Sequence, residues 1–439
     1  MFSTIKSYLN IVVSLTCTAY RYSAILILVI LSLMQTSCSN SQSQPPVKDS
    51  ATTIQLPQPG NVSQPERDRI LQASQDWYNQ MLRSSFNGGM IVAEKGNIIF
   101  ERYNGTAHIP GKDTINQNTP MHVASISKTF TAMATLKLWQ DGKLNIDSEV
   151  RTYLPEFNNY PGVTIRTLLN HRSGLPNYLY FMEDLGWDKK KFVTNEDVLN
   201  TLITRKSEIK NVSSPNTHFE YCNTNFALLA LVIEKVSGKK LPELLKETFF
   251  DPLQMKNTFV YTDKDSARTT PSYDWRNKMY EFQFLDKVYG DKNVFTTPRD
   301  LLIWDRALCS GKLFKPETLQ QAYQPYSNER PGIKNYGLGW HMYVFPGGRK
   351  IIYHNGYWHG SNAVFTRLLQ DSATIILIGN KFNRNIYRAK DLAAIFGSYA
   401  DSGDDDESEN SKDTSNAAAP ADAGYNRDSL INQMMRNKN

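Results

Sequence analysis

A helix with apolar side chains on nearly every side most constrains the fold of this chain. It is predicted from Phe130 to Trp139, and it ends before Asp141-Gly142, a pair typical of a helix C-terminus. A surface helix has one polar face, whereas a helix without one lies inside the protein. The rest of the chain must therefore build a core around this segment.

Strand-like and helical segments surround the central helix in the sequence. Apolar runs of strand length occur near both ends of the folded part, and helical spacing dominates between them. The predicted strands are Met90–Ala93, Ile98–Tyr103, Lys350–His354, Ala363–Gln370 and Thr374–Ile378, and helices are predicted at Pro65–Ser84, Phe226–Val236 and Arg388–Phe396. This order predicts an α+β body with an inserted, mainly helical subdomain at roughly residues 155–290.

Composition excludes several classes of function. The chain has 439 residues and a net charge of +6, without a stripe of Lys and Arg that would indicate nucleic-acid binding. Four cysteines are too few for a disulfide scaffold of this size. The seven histidines form neither HExxH nor a Cys/His cluster at ligand spacing, so we expect no metal and no cofactor.

The N-terminus is typical of an exported protein. The apolar run Ala24–Met34 is preceded by basic residues and is shorter than a membrane span of about 20 residues, as in a secretory signal. Gln35-Thr36-Ser37-Cys38 resembles the lipobox of bacterial lipoproteins, although Gln35 stands where that motif usually has Leu. The resemblance implies a signal peptide at residues 1–37 and a lipid anchor at Cys38, facing the periplasm or cell surface. An ordinary signal peptide or an uncleaved anchor remains the alternative, and each exports the body.

Two flanking segments have the composition of flexible chain. Residues 38–64 are rich in Ser, Gln, Pro and Thr and are predicted to be a tether. Residues 401–439 contain nine acidic and four basic residues and are predicted to be a disordered acidic tail. The folded body is therefore expected at residues 65–400.

The pattern S-x-x-K at Ser125 and Lys128 opens the buried helix. Residues i and i+3 share a helix face, so the hydroxyl and the amine can meet there. Burial disfavours the ammonium form of lysine, which lets the amine accept a proton from a serine nucleophile. The same pattern occurs at Ser3–Lys6, Ser207–Lys210 and Ser237–Lys240. Only Ser125 precedes a long apolar helix, and we therefore select it.

Two further short patterns follow in the chain. Tyr221-Cys222-Asn223 is a Y-x-N placed immediately before a predicted helix, unlike the same pattern at Tyr8 and Tyr326. His354-Asn355-Gly356 closes a predicted strand and is followed by Tyr357. Each pattern is common alone, and their order along the chain makes them informative.

S-x-x-K, Y-x-N and H-x-G in this order resemble the penicillin-recognising serine hydrolases, which include class C β-lactamases, D-alanyl-D-alanine carboxypeptidases and related esterases. The segments Leu168–Tyr178, Tyr221–Gly238 and Gly290–Leu308 also resemble this family. The likeness covers roughly residues 65–397. It implies a β-lactamase/transpeptidase-like fold, in which an antiparallel sheet is flanked by N- and C-terminal helices.

The resemblance also implies roles for individual residues. Ser125 would be the nucleophile, Lys128 its proton partner, and Tyr221 a second proton carrier that also activates the deacylating water. Asn223, His354, Asn355 and Gly356 would bind or orient the substrate. The backbone N–H groups of Ser125 and Tyr357 would form the oxyanion hole.

Some positions depart from the family pattern. His354 stands where many members have a lysine, and histidine is largely neutral near pH 7, which weakens the case for binding carboxylate-bearing β-lactams. Asn293 replaces a common glycine, and Asn tolerates a positive φ angle. The interpretation of Trp358 and His359 stays open between pocket lining and strand packing, and His171 is expected to stabilise a turn. Cys222 and Cys309 are expected to be free thiols.

The sequence thus predicts an exported serine hydrolase that forms a covalent acyl-enzyme with an ester, a D-amino-acid peptide or a β-lactam amide. The expected partners are a small-molecule or cell-wall peptide substrate and a membrane, without nucleic acid. The alternative is a binding or sensor protein that keeps the fold without turnover. A Ser-His-Asp hydrolase of another fold would need G-x-S-x-G, which is absent from the sequence.

Overall fold

A seven-stranded antiparallel sheet organises the part of the chain that the computed structural model describes, residues 53–83 and 85–399. The strands are β1 (Gly88–Glu94), β2 (Asn97–Asn104), β3 (Met121–His122), β4 (Phe259–Val260), β5 (Val294–Thr296), β6 (Lys334–Tyr336), β7 (His341–Val344), β8 (Lys350–Trp358), β9 (Ser361–Leu368) and β10 (Ala373–Gly379). The large sheet has the order β2-β1-β10-β9-β8-β7-β6, and β3-β5-β4 form a small second sheet. The N-terminal hairpin therefore pairs with the last strand.

Helices cover both faces of the large sheet and fill the segment between β3 and β5. They are α1 (Gln64–Met81), α2 (Ser127–Gln140), α3 (Ile165–Leu169), α4 (Tyr178–Asp184), α5 (Asn195–Thr204), α6 (Asn223–Ser237), α7 (Leu241–Leu245), α8 (Pro298–Cys309) and α9 (Pro316–Ala322). Short 3₁₀ helices lie at Ala124–Ile126, Val150–Thr152, Pro155–Phe157 and Asp263–Arg268, and a π-helical turn lies at Lys246–Phe250. This arrangement confirms the predicted α+β architecture, and α3 to α7 lie within the predicted helical subdomain.

Both faces of the central strands are buried. In β1, Met90 and Val92 pack with α1 and with a C-terminal 3₁₀ helix at Arg384–Ile395, whereas Ile91 and Ala93 belong to the core on the other face. Successive side chains of a strand point to opposite faces, so a sheet covered twice needs apolar residues at every position. This explains why the strands appear in the sequence as continuous apolar runs.

Helix α2 lies at the centre of the larger core, as the apolar pattern predicted. Phe130 is fully buried, stacks on Trp304 at a ring-centroid distance of 4.9 Å, and meets Phe250 edge-on at 5.5 Å. The helix ends at Gln140, and Gly142 follows with a φ angle of +71°. Ser125 does not belong to α2, since it lies in the 3₁₀ turn that precedes the helix.

The C-terminal helix differs from its prediction. A helix was expected at Arg388–Phe396, and the structure has a 3₁₀ helix at Arg384–Ile395, which starts four residues earlier. The side chain of Asn383 accepts a hydrogen bond from the backbone N–H of Asn385 and starts the helix earlier than the apolar spacing indicates.

The second half of the predicted tether is bound to the body, so the prediction is wrong for residues 53–63. The backbone N–H of Ile54 donates to Pro252 and that of Gly60 donates to Lys95, both at 2.8 Å. Composition indicated flexibility, but these backbone hydrogen bonds do not depend on apolar side chains. The predicted signal peptide, Cys38, the first part of the tether and the acidic tail lie outside the described residues. No described helix combines the length and apolar character needed to cross a membrane.

Candidate active site

The backbone around Ser125 is held in an unusual conformation. Ala124 has a φ angle of +45°, which is costly for a residue with a side chain and is found mainly where the surrounding structure enforces it. The backbone N–H of Val123 donates to Val294 at 3.0 Å and fixes the approach to the turn. Ser125 is partly exposed, whereas the other residues from 121 to 130 are buried. The turn thus presents the serine hydroxyl at the surface of a rigid core.

Lys128 lies one turn after Ser125 and is completely buried. Its Nζ is 3.0 Å from Ser125 Oγ, 2.7 Å from Asn223 Oδ1 and 2.9 Å from the backbone oxygen of Asp291. Burial, together with the nearby charge of Lys292, lowers the pKa of Lys128 to about 7, although the charge of Asp291 opposes the shift. Near neutral pH a substantial fraction of this amine is therefore unprotonated.

The three contacts of Lys128 orient the neutral amine. The amide oxygen of Asn223 and the backbone oxygen of Asp291 can only accept hydrogen bonds, so they take the two N–H groups of the neutral amine. The lone pair then faces Ser125 Oγ, which donates its hydroxyl proton along the 3.0 Å contact. When Lys128 is protonated, the same three contacts are donated by the ammonium. The site therefore accommodates both protonation states without rearrangement.

Tyr221 and Asn223 come from the start of α6. Asn223 is the first helical residue and Cys222 is the N-cap. The ring of Tyr221 lies over Lys128, with Nζ 4.9 Å from the ring centroid. It also stacks on His341 at 5.7 Å. The Y-x-N and S-x-x-K residues are thus brought together, as the sequence predicted.

His171 fixes the segment that carries Tyr221. Its Nδ1 accepts hydrogen bonds from the backbone N–H of Cys222 and from the side-chain amide of Asn225, both at 3.1 Å. Its ring lies 4.4 Å from that of Tyr221. Burial, together with the charge of Lys128, holds the pKa of His171 well below its usual value, so the ring is a neutral acceptor. His171 therefore supports the tyrosine in addition to its own turn, where its φ angle is +55°.

His354 is buried on β8 and is uncharged. Its Nδ1 lies 2.7 Å from the backbone oxygen of Asn355 and donates to it. Burial, followed by the nearby His341 and Lys128, holds the pKa of His354 well below its usual value. The third motif therefore offers a substrate a neutral ring where a lysine would offer a cation.

The other residues of the third motif are divided between the two faces of β8. Gly356 adjoins the turn that carries Ser125, because an added Cβ would lie 2.1 Å from the backbone oxygen of Val123. Tyr357 pairs with Asn362 across the β8–β9 hairpin. The side chain of Asn355 lines a small cavity with Tyr353, so its expected contact with substrate is not supported. The alternation of side chains along a strand explains this separation from His354.

Several functional candidates escaped the sequence analysis. Asp291 and Lys292 lie within the segment Gly290–Leu308, which was noted only for its family likeness, yet both are buried beside Lys128. His341, at the start of β7, contacts Tyr221 and His354 with its ring. Charged residues recur along Gly290–Leu308, so neither the Asp291-Lys292 pair nor His341 is marked by a distinct sequence signal.

The residues after the third motif contact a buried carboxylate. Trp358 Nε1 donates to Asp286 at 2.7 Å, and His359 Nε2 lies 3.0 Å from the same carboxylate. Burial raises the pKa of Asp286, but the hydrogen bond and charge of His359 outweigh that effect and the pKa is lowered. The Trp358 ring also lies 4.9 Å from Lys292 Nζ. Trp358 and His359 are thus held by specific polar contacts, and Trp358 also pairs with Ser361 in the β8–β9 hairpin.

Three smaller features complete the site. Asn293 has a φ angle of +79°, in agreement with its expected backbone conformation. Cys222 and Cys309 are free thiols, and burial raises the pKa of Cys222 to about 11, so its thiol does not compete with Ser125 as a nucleophile. Among the described residues, no group of three or more His, Cys, Asp or Glu side chains could hold a metal ion.

The chain is similar to several known proteins. Penicillin-binding protein 4* of Bacillus subtilis is 31% identical over 329 residues, which cover 71% of this chain and 72% of that protein. A D-aminopeptidase of Brucella canis is 24% identical over 62% of this chain and 52% of its own length. The crystal structure of a penicillin binding protein from Bacillus halodurans superposes with a TM-score of 0.63 at 24% identity, covering 74% of this chain and 98% of that one.

The likeness extends over most of the folded body, and the range matched by the family model contains residues 125–356. The fold is therefore of the β-lactamase/transpeptidase type, and hydrolases occur among the relatives. The family model described as Beta-lactamase matches residues 79–399. This chain belongs to the beta-lactamase family.

Proposed function

We propose that the protein is a serine hydrolase that forms a covalent acyl-enzyme at Ser125. The observation that carries the proposal is the contact of 3.0 Å between Ser125 Oγ and a buried Lys128 amine whose pKa is lowered to about 7. Two fixed acceptors direct the lone pair of that amine to the serine hydroxyl. A serine hydroxyl needs such a base to become a nucleophile.

The reaction would proceed in two acyl transfers. Ser125 Oγ attacks the substrate carbonyl while its proton passes to Lys128, and the resulting oxyanion is bound by the backbone N–H groups of Ser125 and Tyr357. Lys128, with Tyr221, returns the proton to the leaving group, and the carbonyl re-forms as the ester of Ser125. Water, activated by Tyr221, then attacks this ester and releases the acid. An oxyanion-hole donor of this kind contributes about 2.7–4 kcal/mol in other enzymes.

The charge of the site favours an ester or a D-amino-acid amide as substrate. A neutral His354 cannot form an ion pair with a substrate carboxylate, so it lacks the charge–charge attraction that a lysine would supply. The Brucella canis relative is named a D-aminopeptidase, which supports amide bonds of D-amino acids as one candidate class. β-Lactams, which carry a carboxylate, are expected to react more slowly.

We also propose that the protein works outside the cytoplasm, anchored by a lipid on Cys38. The support is the apolar run Ala24–Met34 followed by the small residues before that cysteine. Metabolic labelling with a radioactive fatty acid tests the anchor. Label incorporated by the wild type and lost in Cys38→Ala supports it, and equal labelling of both contradicts it.

Covalent labelling tests the hydrolase. The full-length protein is treated with a fluorescent fluorophosphonate and with a fluorescent penicillin, beside Ser125→Ala and, as a matched control, Ser127→Ala. We expect labelling of the wild type and of Ser127→Ala and none of Ser125→Ala. If neither reagent labels the folded wild type, the alternative of a binding or sensor protein is favoured. Turnover of p-nitrophenyl esters, nitrocefin and D-alanyl-D-alanine peptides then ranks the substrates.

A further inference from the structure

A buried cluster of three side chains lies next to Lys128 and has no part in the reaction steps proposed above. It consists of Tyr178, Asp291 and Lys292, which are at most 3% exposed, and is called the Lys292 cluster. Tyr178 donates to Asp291 Oδ2 at 2.9 Å, Lys292 Nζ lies 3.3 Å from the same oxygen, and Lys292 also donates to the Tyr178 hydroxyl. Burying an ion pair of this kind costs solvation free energy, so its presence calls for a functional explanation.

Asp291 connects the cluster to the site through its backbone. Its carbonyl oxygen accepts a hydrogen bond from Lys128 Nζ at 2.9 Å, while its carboxylate is held by Tyr178 and Lys292. Fixing the carboxylate fixes the rotation of the residue and hence the direction of its carbonyl. The cluster therefore holds one of the two acceptors that orient the lone pair of Lys128.

The cluster also places one charge of each sign beside Lys128. The titratable groups around Lys128 are Asp291, Lys292, Cys222, Tyr221, His171, His341 and His354. The histidines are kept neutral by burial, and burial raises the pKa of Cys222. The pair of Asp291 and Lys292 thus supplies the fixed charges that act on the Lys128 amine.

Lys292 is itself held from several sides. Its Nζ lies 4.9 Å from the ring centroids of both Tyr178 and Trp358. The carboxylate of Asp286 and the neutral His122 also lie within its electrostatic reach. Cation–π contacts and a carboxylate partner hold the Lys292 side chain in one place. Lys292 is therefore fixed beside Asp291, next to the Lys128 site.

We propose that the Lys292 cluster positions Lys128 and sets the pH range over which its amine accepts the Ser125 proton. Asp291 and Lys292 act on Lys128 with opposite signs, and removing either one alone should displace this range. The inference rests on the proposed hydrolase function for its consequence in catalysis. Tyr178, Asp291 and Lys292 are positioning residues, since they act through Lys128.

The directions of the shifts follow from the charges. In Lys292→Met, the Asp291 carboxylate is unopposed and stabilises the Lys128 ammonium, so the acidic limb of the rate profile moves up by about one pH unit. In Asp291→Asn, the Lys292 cation is unopposed and the limb moves down by a similar amount. The double variant loses both charges, and its limb is expected between those of the single variants. Lys292→Arg retains the cation and should retain the wild-type limb.

The experiment measures Lys128 in two ways in the full-length protein. The rate of fluorophosphonate labelling is followed over about pH 5 to 10, a range that spans the ordinary pKa values of His and Lys. Separately, the NMR signal of Lys128 is titrated in protein with ¹³Cε-labelled lysine and assigned by its absence in Lys128→Met. The matched control is Asp305→Asn. Asp305 lies on α8, and its buried carboxylate is 2.5 Å from Nε of Arg367. The control should lower the melting temperature without moving the limb.

The proposal is supported if the acidic limb moves in opposite directions in Lys292→Met and Asp291→Asn. At a fixed pH on the limb, each movement should change the labelling rate threefold or more. Lower rates at every pH with an unmoved limb and an unmoved Lys128 titration would overturn it, because that is the signature of a merely structural cluster. If Lys292→Met does not fold, Asp291→Asn and Lys292→Arg decide the outcome. If the Lys128 NMR titration moves as expected but the fluorophosphonate labels no variant, the role of the Lys292 cluster is supported and the proposed hydrolase function is rejected.

Discussion

Gly356 and Val123 lie so close together that a Cβ at position 356 would be 2.1 Å from the backbone oxygen of Val123. Real Cβ atoms do not approach so closely, so a glycine is required at this position of β8. The contact joins the strand of the third motif to the backbone that leads into Ser125. It explains in steric terms why H-x-G needs its last residue.

Gly356→Ala should separate the strand from the Ser125 turn. We expect the rate of covalent labelling to fall by about 100-fold, because displacements near 1 Å in an active site have effects of that size. The rate is measured by quenching the labelling reaction at successive times. Gly60→Ala is the control, since its nearest neighbour is the side chain of Lys95, away from the turn. Equal labelling of both variants would contradict the steric argument.

The activity should depend on pH through Lys128. The neutral amine is the base, and burial lowers the pKa of Lys128 to about 7. The labelling rate should therefore be highest above that pH and fall about tenfold for each unit below it. Lys128→Met should lose at least about 100-fold in rate at all pH values, whereas Lys137→Met, on the outer side of the same helix, should not. A rate that increases with acidity would exclude Lys128 as the base.

A charge at position 354 should alter substrate preference. His354→Lys introduces a cation where the wild type has a neutral ring, so we expect a fluorescent penicillin to bind about tenfold more tightly. A neutral p-nitrophenyl ester should not gain, and its KM serves as the internal comparison. His354→Asn, which stays neutral, controls for the loss of the ring. Equal gains for both substrates would show that charge does not decide the preference.

His171 should contribute to stability through the two hydrogen bonds that it accepts. His171→Phe keeps an aromatic ring but leaves the buried N–H groups of Cys222 and Asn225 without an acceptor. Each unsatisfied group costs about 1–3 kcal/mol, so the free energy of unfolding should fall by several kcal/mol. Denaturant unfolding measures the loss, with the exposed His218→Phe as control. An unchanged midpoint would contradict the assigned hydrogen bonds.

The sequence predicted those parts of the site that carry a local pattern. The hydroxyl of Ser125 and the amine of Lys128 are three residues apart at the start of an apolar helix, and Asn223 begins the next long helix. The positions of these residues in the sequence therefore indicated that their side chains lie close together. The third motif was expected at the end of a strand, whereas β8 continues to Trp358 and carries the motif within it. Alternation along β8 turns Asn355 to the other face.

The Lys292 cluster could not be predicted in the same way. Tyr178 and Lys292 are 114 residues apart, and both lie in a part of the chain where polar side chains show no periodicity. Their contact depends on how the start of α4 and the loop before β5 pack on α6, which is a property of the whole fold. The same holds for residues 53–63, whose backbone hydrogen bonds to distant loops have no counterpart in composition.

Trapping the reaction intermediate identifies the nucleophile. The protein is quenched in acid during turnover of a p-nitrophenyl ester, digested, and analysed by mass spectrometry. We expect an acyl group on the peptide containing Ser125, formed with a burst of p-nitrophenol and absent in Ser125→Ala. Undiminished turnover by Ser125→Ala, or an acyl group carried by a different residue of the wild type, would contradict the assignment of Ser125 as the nucleophile.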